Sequence, residues 1–270
     1  MKRMELIGGA IFLLFFTGSM ALQNEEQVWN NRRCAVVLTY DDGLNIHLDQ
    51  VIPALDSMGF KGTFYAPGYA PAINERIPEW RAAAENGHEL GNHTLFHPCI
   101  GNTPGREWVP SDYAMENYTI GRMVDEIRQA NVLLKAIDGK SERTFAYTCG
   151  DMTIADSSFA GLIHDDFVAA RGVTGRMEMI TTVDLFDIGS YMMSGSTGSE
   201  LIELVKQAQH EGAMLVFLFH GVGGEHAINI PLEAHRELLH YLKENEQDIW
   251  VAPLVTVGEY IQEHRKPLND

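Results

Sequence analysis

The chain of 270 residues carries 20 Lys and Arg against 37 Asp and Glu, a formal net charge of −17, with 45% hydrophobic and 21% charged residues. This composition supplies enough apolar side chain for a sizeable core, which excludes disorder, collagen and coiled coil as the main state. Because so acidic a surface repels phosphate backbones, we do not expect nucleic acid as a partner.

The N-terminus has the order of a secretory signal peptide. A basic start precedes a mostly apolar run from Leu6 to Phe16, and small residues lead to a cleavage site after Ala21. The run is shorter than the roughly 20 residues that span a membrane. We therefore predict an exported protein, periplasmic, cell-surface or secreted, with a leader at 1–21, one domain at 22–270 and no stable span in the mature chain. An uncleaved anchor is the alternative.

Short β-rich runs and helical periodicity alternate after the leader. Two runs, Cys34–Tyr40 and Ala213–Phe219, are nearly all apolar, as parallel strands covered on both faces are. Helical spacing covers Met123–Asp138 and the segment that Pro231 opens. The eight predicted strands are Cys34–Tyr40, Gly62–Ala66, His88–Asn92, Arg143–Tyr147, Phe167–Val173, Leu185–Met192, Ala213–Phe219 and Ile249–Val255.

This alternation predicts an α/β fold with a parallel sheet and right-handed crossovers. Eight strands in about 250 residues fit a single (β/α) barrel, whose chemistry lies at the C-terminal ends of the strands. A doubly wound open sheet is the alternative, but the phosphate-binding patterns GxGxxG and GxxxxGK[ST] are absent. The long irregular segment Pro98–Asp112, which contains Trp108, is a candidate substrate-contact loop.

Acidic and histidine side chains follow the ends of several predicted strands. Two histidines four residues apart, with a carboxylate from another strand, form a metal set that leaves positions open for water and substrate. The pattern therefore predicts a catalytic metal centre rather than a closed structural one. The residues at these strand ends are Asp41, Asp42, His93, His97, Thr148–Asp151 and His220.

Three of these segments resemble motifs of the polysaccharide deacetylase (NodB-homology) family, a type of carbohydrate esterase. TYDDG (Thr39–Gly43), HTLFH (His93–His97) and LVFLFH (Leu215–His220) are similar to that family's TFDDG, H-[ST]-x-x-H and LxLxH motifs, in the same order. The resemblance implies a distorted (β/α) barrel. It also implies removal of acetyl groups from N- or O-acetylated carbohydrates with a divalent metal, commonly zinc, with cobalt or nickel as alternatives.

The resemblance also implies a role for each motif residue. Asp41 would be the general base, His220 the general acid, and the backbone N–H of Cys149 a donor to the oxyanion. The implied partner is an acetylated oligo- or polysaccharide. The implied metal ligands are Asp42, His93 and His97.

The chain departs from that family's pattern in two places. Ala146 stands where many members carry an arginine that orients the base. We hypothesise that Arg171, at the end of the fifth predicted strand, is the partner of Asp41 instead; an ordinary surface arginine is the alternative. The family's Asp-Trp motif, which helps set the pKa of the histidine, is also absent, and Asp184 or Asp187 could replace it.

Three cysteines are too few and odd in number for a disulfide framework. The resemblance brings Cys99 and Cys149 near the same site, so one bridge between them is conceivable. We nevertheless expect three independent buried thiols, with Cys34 as the third.

The remaining histidines match no motif. His47 and His88 are expected to be structural or solvated, and His235 lies on the apolar stripe of a predicted helix, which favours a core position. Glu225 and His226 follow the last motif and are candidates for the mouth of the site.

Two other functions remain open at this point. A metal-dependent hydrolase of another C–N bond, such as a cyclic amide, would use the same residue types. A non-catalytic carbohydrate-binding relative is the second alternative, because the arginine and the tryptophan of the family pattern are missing.

Overall fold

The computed structural model describes residues 28–265, so the predicted leader at 1–21 lies outside the described residues. The strands are β1 (Cys34–Asp41), β2 (Thr63–Ala66), β3 (Glu89–Asn92), β4 (Phe145–Ala146), β5 (Thr153–Ile154), β6 (Ser157–Ser158), β7 (Ala170–Arg171), β8 (Tyr191–Met192), β9 (Met214–Phe219), β10 (Gly221–Val222), β11 (Asn229–Ile230) and β12 (Ile249–Val251). The helices are α1 (Ile52–Met58), α2 (Pro71–Glu75), α3 (Ile77–Glu85), α4 (Ile120–Asp138), α5 (Gly198–Glu211), α6 (Leu232–Glu244) and α7 (Leu254–His264).

Within residues 28–265, eight strands form one sheet in the order β7-β4-β3-β2-β1-β9-β8, with β12 beside β1, and the strands pair in parallel. β1 lies at the centre of the sheet and, like β9, is buried along its whole length. This burial on both faces explains why the two segments are nearly all apolar. The predicted single-domain (β/α) barrel is confirmed in distorted form, as a parallel half-barrel sheet with helices.

Side chains of β1 alternate between the two faces of the sheet, as the pleat of a strand requires. Val36 and Leu38 belong to the cluster that packs against α1, α3, α5 and α6. Ala35 and Val37 belong to a second cluster, which includes residues of α7. Asp41 shares the parity of Ala35 and Val37, so the strand directs its carboxylate into the interior of the barrel, at the C-terminal end.

Local signals fix the two longest helices. The N-cap of α4 is Thr119, whose side chain accepts a hydrogen bond from the Arg122 N–H. Its C-cap is Gly139, in the left-handed conformation. α5 begins at a reciprocal capping box between Thr197 and Glu200. Among the described residues, no helix is both long enough and apolar enough to cross a membrane.

The wall formed by β4, β7 and β8 is shorter than the sequence predicts. The predicted strands Arg143–Tyr147, Phe167–Val173 and Leu185–Met192 each contain only two residues of regular strand. The reason is an irregular pairing: the N–H of Ala170 bonds the Leu185 carbonyl at 2.7 Å, although that segment is not part of a strand. This side of the barrel is therefore distorted where it approaches the site.

Candidate active site

The residues predicted to act together meet at the C-terminal ends of the strands. Asp41 ends β1, His93 follows β3 and His220 follows β9. Asp42 and His97 adopt left-handed backbone conformations, with φ of 75° and 53°. A non-glycine residue in this region carries about 1–3 kcal/mol of strain, which typically persists where surrounding structure holds a functional geometry. Nε2 of each of the three histidines, His93, His97 and His220, lies within 4 Å of a carboxylate oxygen of Asp42.

A carboxylate oxygen of Asp42 and ring nitrogens of His93 and His97 lie within 4.8 Å of one another. The Asp42 Oδ1 atom is 3.6 Å from Nε2 of His97 and 3.9 Å from Nε2 of His93. Nδ1 of His93 donates a hydrogen bond to the Ala146 carbonyl oxygen at 2.9 Å. Because Nδ1 carries the proton, the lone pair of Nε2 is free and faces Asp42. Burial lowers the pKa of His93 to about 4, which keeps the ring neutral. The donor set fits zinc, cobalt or nickel.

Arg171 lies directly against Asp41. Its guanidinium is fully buried, donates a hydrogen bond to Asp41 Oδ1, and lies 4.7 Å from the centroid of the Tyr65 ring. In the sheet, Arg171 is the register partner of Ala146 on the neighbouring strand. Paired residues of adjacent strands project from the same face. Arg171 therefore approaches the carboxylate from the position next to the residue that it was hypothesised to replace; its role in catalysis stays a prediction.

The pKa of Asp41 results from two opposing effects. Burial alone would raise the pKa of this carboxyl, because the charged form loses its hydration. The positive charge of Arg171, followed by interactions with His93 and His220, outweighs burial and holds the pKa of Asp41 below its ordinary value. Asp41 is therefore ionised at neutral pH and able to accept a proton.

Two parallel imidazole rings face the other oxygen of Asp42. Nε2 of His220 lies 3.9 Å and Nε2 of His226 lies 3.6 Å from Asp42 Oδ2, and the two ring centroids are 4.8 Å apart. Burial lowers the pKa of His220 from its ordinary value. The candidate His226 thus lies at the mouth, although no spacing pattern in the sequence distinguishes it from other histidines.

The replacement proposed for the Asp-Trp motif is wrong. Nδ1 of His220 is buried and has no hydrogen-bond partner among the described residues. Asp187 forms an ion pair with Arg176 at 3.2 Å, and Asp184 accepts a hydrogen bond from the N–H of Phe186. Both carboxylates therefore have partners other than His220.

His47 supports the His220 segment through the backbone. Its Nε2 donates to the His220 carbonyl at 2.8 Å, and its Nδ1 accepts from the Leu44 N–H at 3.2 Å. Glu225 anchors the same region, because its carboxylate accepts hydrogen bonds from the N–H groups of Asn45 and Ile46.

Three histidines that match no motif, His47, His88 and His235, are structural. His47, His88 and His235 are fully buried. His88 pairs with Asp56 at 3.1 Å, and His235 bonds the Tyr40 hydroxyl at 2.8 Å.

Cys99 and Cys149 form a disulfide, with Cα atoms 5.8 Å apart. The expectation of three independent thiols is therefore wrong for these two residues and correct for Cys34, which is free and buried. The partners are 50 positions apart in the sequence, and only the approach of two loops brings them together. Cys149 itself lies in the turn after β4 with a left-handed φ of 56°, and the oxyanion role of its N–H stays a prediction.

The predicted contact loop Pro98–Asp112 is anchored beside this turn. The Ile100 N–H and the Arg106 guanidinium both bond the carboxylate of Asp151. Trp108 on this loop is 61% exposed. Its contact with substrate stays a prediction.

An aromatic rim, defined as Tyr69, Phe96 and Tyr113, borders the mouth. Phe96 lies between the two histidines of HTLFH and stacks on Tyr113 with ring centroids 5.5 Å apart and planes 7° from parallel. The ring centroids of Tyr69 and Tyr113 are 6.2 Å apart, and Tyr69 is 50% exposed. Three distant segments contribute these rings, so no local pattern in the sequence could have predicted the rim.

Comparison with known proteins gives matches in sequence and in structure. Residues 30–158 match the family model for polysaccharide deacetylase. The chain is 26% identical over 185 residues to a gellan lyase of Bacillus sp and 26% identical over 172 residues to the uncharacterized protein YlxY of Bacillus subtilis strain 168. These alignments cover 68% and 64% of this chain, but the chain spans only 6% and 44% of the length of these relatives.

Three solved structures illustrate the shared fold. A Mycobacterium smegmatis protein named as a polysaccharide deacetylase superposes with a TM-score of 0.62 at 14% identity, over 88% of this chain and 94% of that one. A family 4 acetyl xylan esterase of Clostridium thermocellum, in complex with a cobalt ion, superposes with a TM-score of 0.52 at 17% identity. The superposition covers 83% of this chain and 89% of that one. A mutant of BA3943, a CE4 family pseudoenzyme, superposes with a TM-score of 0.53 at 16% identity. The superposition covers 87% of this chain and 70% of that one. At these identities the likeness concerns the fold alone.

Proposed function

Because residues 30–158 match the family model for polysaccharide deacetylase, we propose that the protein is an exported, metal-dependent hydrolase that removes acetyl groups from an N- or O-acetylated carbohydrate. The observation that carries the proposal is that two groups of side chains lie together at the C-terminal ends of the strands. One group is the Asp42, His93 and His97 donor set, and the other is the buried pair of Asp41 with Arg171. An ionised carboxylate that lies beside a metal-ligand set is suited to accept a proton from water in hydrolysis.

Asp42, His93 and His97 would hold the divalent ion, for which we propose zinc. When bound, such an ion polarises the acetyl carbonyl and lowers the pKa of a nearby water molecule. The nearly buried His93 ring, fixed by the Ala146 carbonyl, gives this set one rigid ligand.

The remaining residues would move protons and stabilise charge. Asp41 accepts the proton of the attacking water, and Arg171 keeps this carboxylate ionised and oriented. The Cys149 N–H donates to the developing oxyanion. His220 protonates the departing amine or alkoxide.

The aromatic rim supports a carbohydrate as the substrate. Phe96 and Tyr69 are 38% and 50% exposed and both contact the Tyr113 ring, and clustered exposed apolar side chains are typical of binding surfaces. Aromatic rings provide flat apolar surfaces with little conformational entropy to lose, which suits stacking on the apolar face of a sugar ring. We propose that the sugar next to the acetylated unit packs on Phe96.

Export is supported by the leader pattern at 1–21 and by the Cys99–Cys149 disulfide, because disulfides persist mainly in oxidising compartments.

A non-catalytic carbohydrate-binding relative is the second candidate. The unpartnered Nδ1 of His220 favours it, because a general acid without an orienting acceptor is poorly prepared for proton transfer. A pseudoenzyme with the same fold occurs in CE4.

Acetate release from a panel of N- and O-acetylated oligosaccharides tests the proposal. The mature protein is assayed with added zinc or cobalt, after treatment with chelator, and after metal is restored. We expect release that disappears with chelator and returns with metal. Absence of release from every sugar by protein that has bound metal contradicts the proposal, and cyclic amides would then be screened.

A further inference from the structure

The disulfide lies against one of the proposed metal ligands. Sγ of Cys99 is 3.6 Å from Nδ1 of His97. The bond also joins the segment after β3, which carries His97, to the turn after β4, which carries Cys149. His97, Cys99 and Cys149 each place a potential ligand atom within 4.8 Å of the other two. Two sulfurs and one ring nitrogen would therefore be ready to hold a metal if the sulfurs were not bonded to each other.

His97 belongs to both groups of potential ligands. Its Nε2 faces Asp42 at 3.6 Å, and its Nδ1 faces Cys99. A neutral imidazole has one nitrogen with a free lone pair, and the other nitrogen carries the proton. A metal bound through Nδ1 would therefore leave the proton on Nε2 and remove His97 from the set with Asp42 and His93. The two groups compete for one ring.

We propose that the Cys99–Cys149 disulfide masks a second metal site, made of both thiolates and His97 Nδ1, which opens when the disulfide is reduced. Thiolates are soft ligands that favour zinc and other soft divalent cations, whereas disulfide sulfurs carry no charge. In the oxidised protein the disulfide keeps His97 in the Asp42 set. The consequence for activity rests on the proposed function, but the existence of the sulfur site does not.

The opening reaction needs an external reductant. A phosphine reductant attacks the disulfide, and with one water molecule it becomes a phosphine oxide while the two sulfurs become thiols. Metal binding then displaces the two thiol protons. Cys99 is fully buried and Cys149 is partly exposed, so the attack occurs at the sulfur of Cys149.

Cobalt titration of the whole mature protein tests the proposal, because cobalt bound to thiolate gives a charge-transfer absorption in the near ultraviolet that cobalt bound to oxygen and nitrogen lacks. We expect no such absorption from the oxidised protein at one equivalent of cobalt. After phosphine reduction it appears, and acetate release falls in proportion to it. Reduced protein that binds cobalt without this absorption overturns the proposal.

Three variants separate the explanations. Asp42→Asn removes the other set, so its reduced form should keep the sulfur absorption even if the proposed function is wrong. The double variant Cys99→Ser with Cys149→Ser should lack the absorption under reducing conditions, with folding checked by circular dichroism. Cys34→Ser should behave as the wild type. Absorption that survives in the double variant, or that is lost with Cys34, contradicts the assignment.

Discussion

The two sides of the candidate site are built differently. On the base side, Asp41 is buried against the fully buried Arg171, and His93 is fixed by the Ala146 carbonyl. On the acid side, Nδ1 of His220 has no hydrogen-bond partner in the described part of the chain, and the neighbouring His226 is 31% exposed. Polar contacts therefore fix the side chains of the base side, whereas no hydrogen bond from the described residues holds the ring of His220 at Nδ1.

This difference has a thermodynamic consequence. Removing one partner of a buried ion pair leaves an uncompensated charge in the interior, which costs both stability and function. Removing the uncharged ring of His220, which has no hydrogen-bond partner at Nδ1 among the described residues, should cost much less stability. Variants on the two sides should therefore separate stability from activity.

The largest combined effect is expected for Arg171→Met. It leaves the Asp41 carboxylate buried without its partner, so we expect a loss of about 3–5 kcal/mol in the free energy of unfolding and a large fall in turnover. Arg128→Met is the matched control, because Arg128 pairs with Asp166 at the surface and should cost less than about 1 kcal/mol. Denaturant unfolding measures the free energy of unfolding of both variants. An equal loss of stability in the two would show that the buried ion pair stabilises the fold no more than the surface pair does.

On the acid side, His220→Gln should lower kcat by roughly 10²–10⁴-fold, the usual contribution of general acid catalysis. The free energy of unfolding should change much less than in Arg171→Met, because the ring makes few hydrogen bonds. His240→Gln, on the exposed face of α6, is the control for both measurements. A kcat that stays within a few-fold of wild type would remove His220 from the mechanism.

Buried histidines on both sides of the site should make the fold sensitive to acid. Burial lowers the pKa of His47 to about 4, so the folded state holds this ring neutral while the unfolded state binds a proton below its ordinary pKa of 6.5. Stability from this group is therefore complete above pH 6.5 and is lost as the pH falls toward 4. The slope is about 1.4 kcal/mol per pH unit for one histidine. We expect the unfolding free energy of metal-free His47→Gln to depend on pH less steeply, by about this amount.

Asp41 loses its contribution in the same direction, but at lower pH. Its pKa is lowered in the folded state from the ordinary value of 3.8, so its contribution is complete above that pH and is lost only as the pH falls below it. Without Arg171, burial raises the pKa of Asp41, so the stability difference between wild type and Arg171→Met should be largest at neutral pH and should shrink as the carboxyl of the variant takes up a proton at lower pH. A difference that stays constant from neutral pH down to pH 3.8 would show that the charge of Asp41 is not its cause.

The smallest effect is expected at the aromatic rim. Phe96→Ala should raise KM by about fivefold, equivalent to about 1 kcal/mol, and leave kcat unchanged, because the ring contacts substrate away from the reacting bond. Val132→Ala, which removes an exposed apolar side chain on α4, is the control. An unchanged KM would separate the rim from substrate binding.

The site could be predicted where chemistry and strand ends coincide. The apolar runs of β1 and β9 located the strands, and parallel strands bring residues such as Asp42, His93 and His220 to one edge. The proximity of Arg171 to Asp41 was predicted as a hypothesis, but its cause, the register with Ala146, was not visible because both strands are only two residues long.

Other features depend on loop conformation, which local sequence does not determine. The Cys99–Cys149 disulfide joins two loops whose approach follows from tertiary packing. Asp184 and Asp187 bond other residues than His220, in a segment whose pairing with β7 is irregular, whereas strand propensity alone predicted a regular strand there.

The central claim is that the two adjacent aspartates have separate tasks, Asp42 as metal ligand and Asp41 as base. Metal content per chain and acetate release, measured together in Asp41→Asn and Asp42→Asn, test it most directly. We predict that Asp41→Asn keeps one metal ion per chain and loses turnover by at least about 10²-fold, whereas Asp42→Asn loses both. An Asp41→Asn variant that retains turnover, or that loses its metal as Asp42→Asn does, would contradict this division.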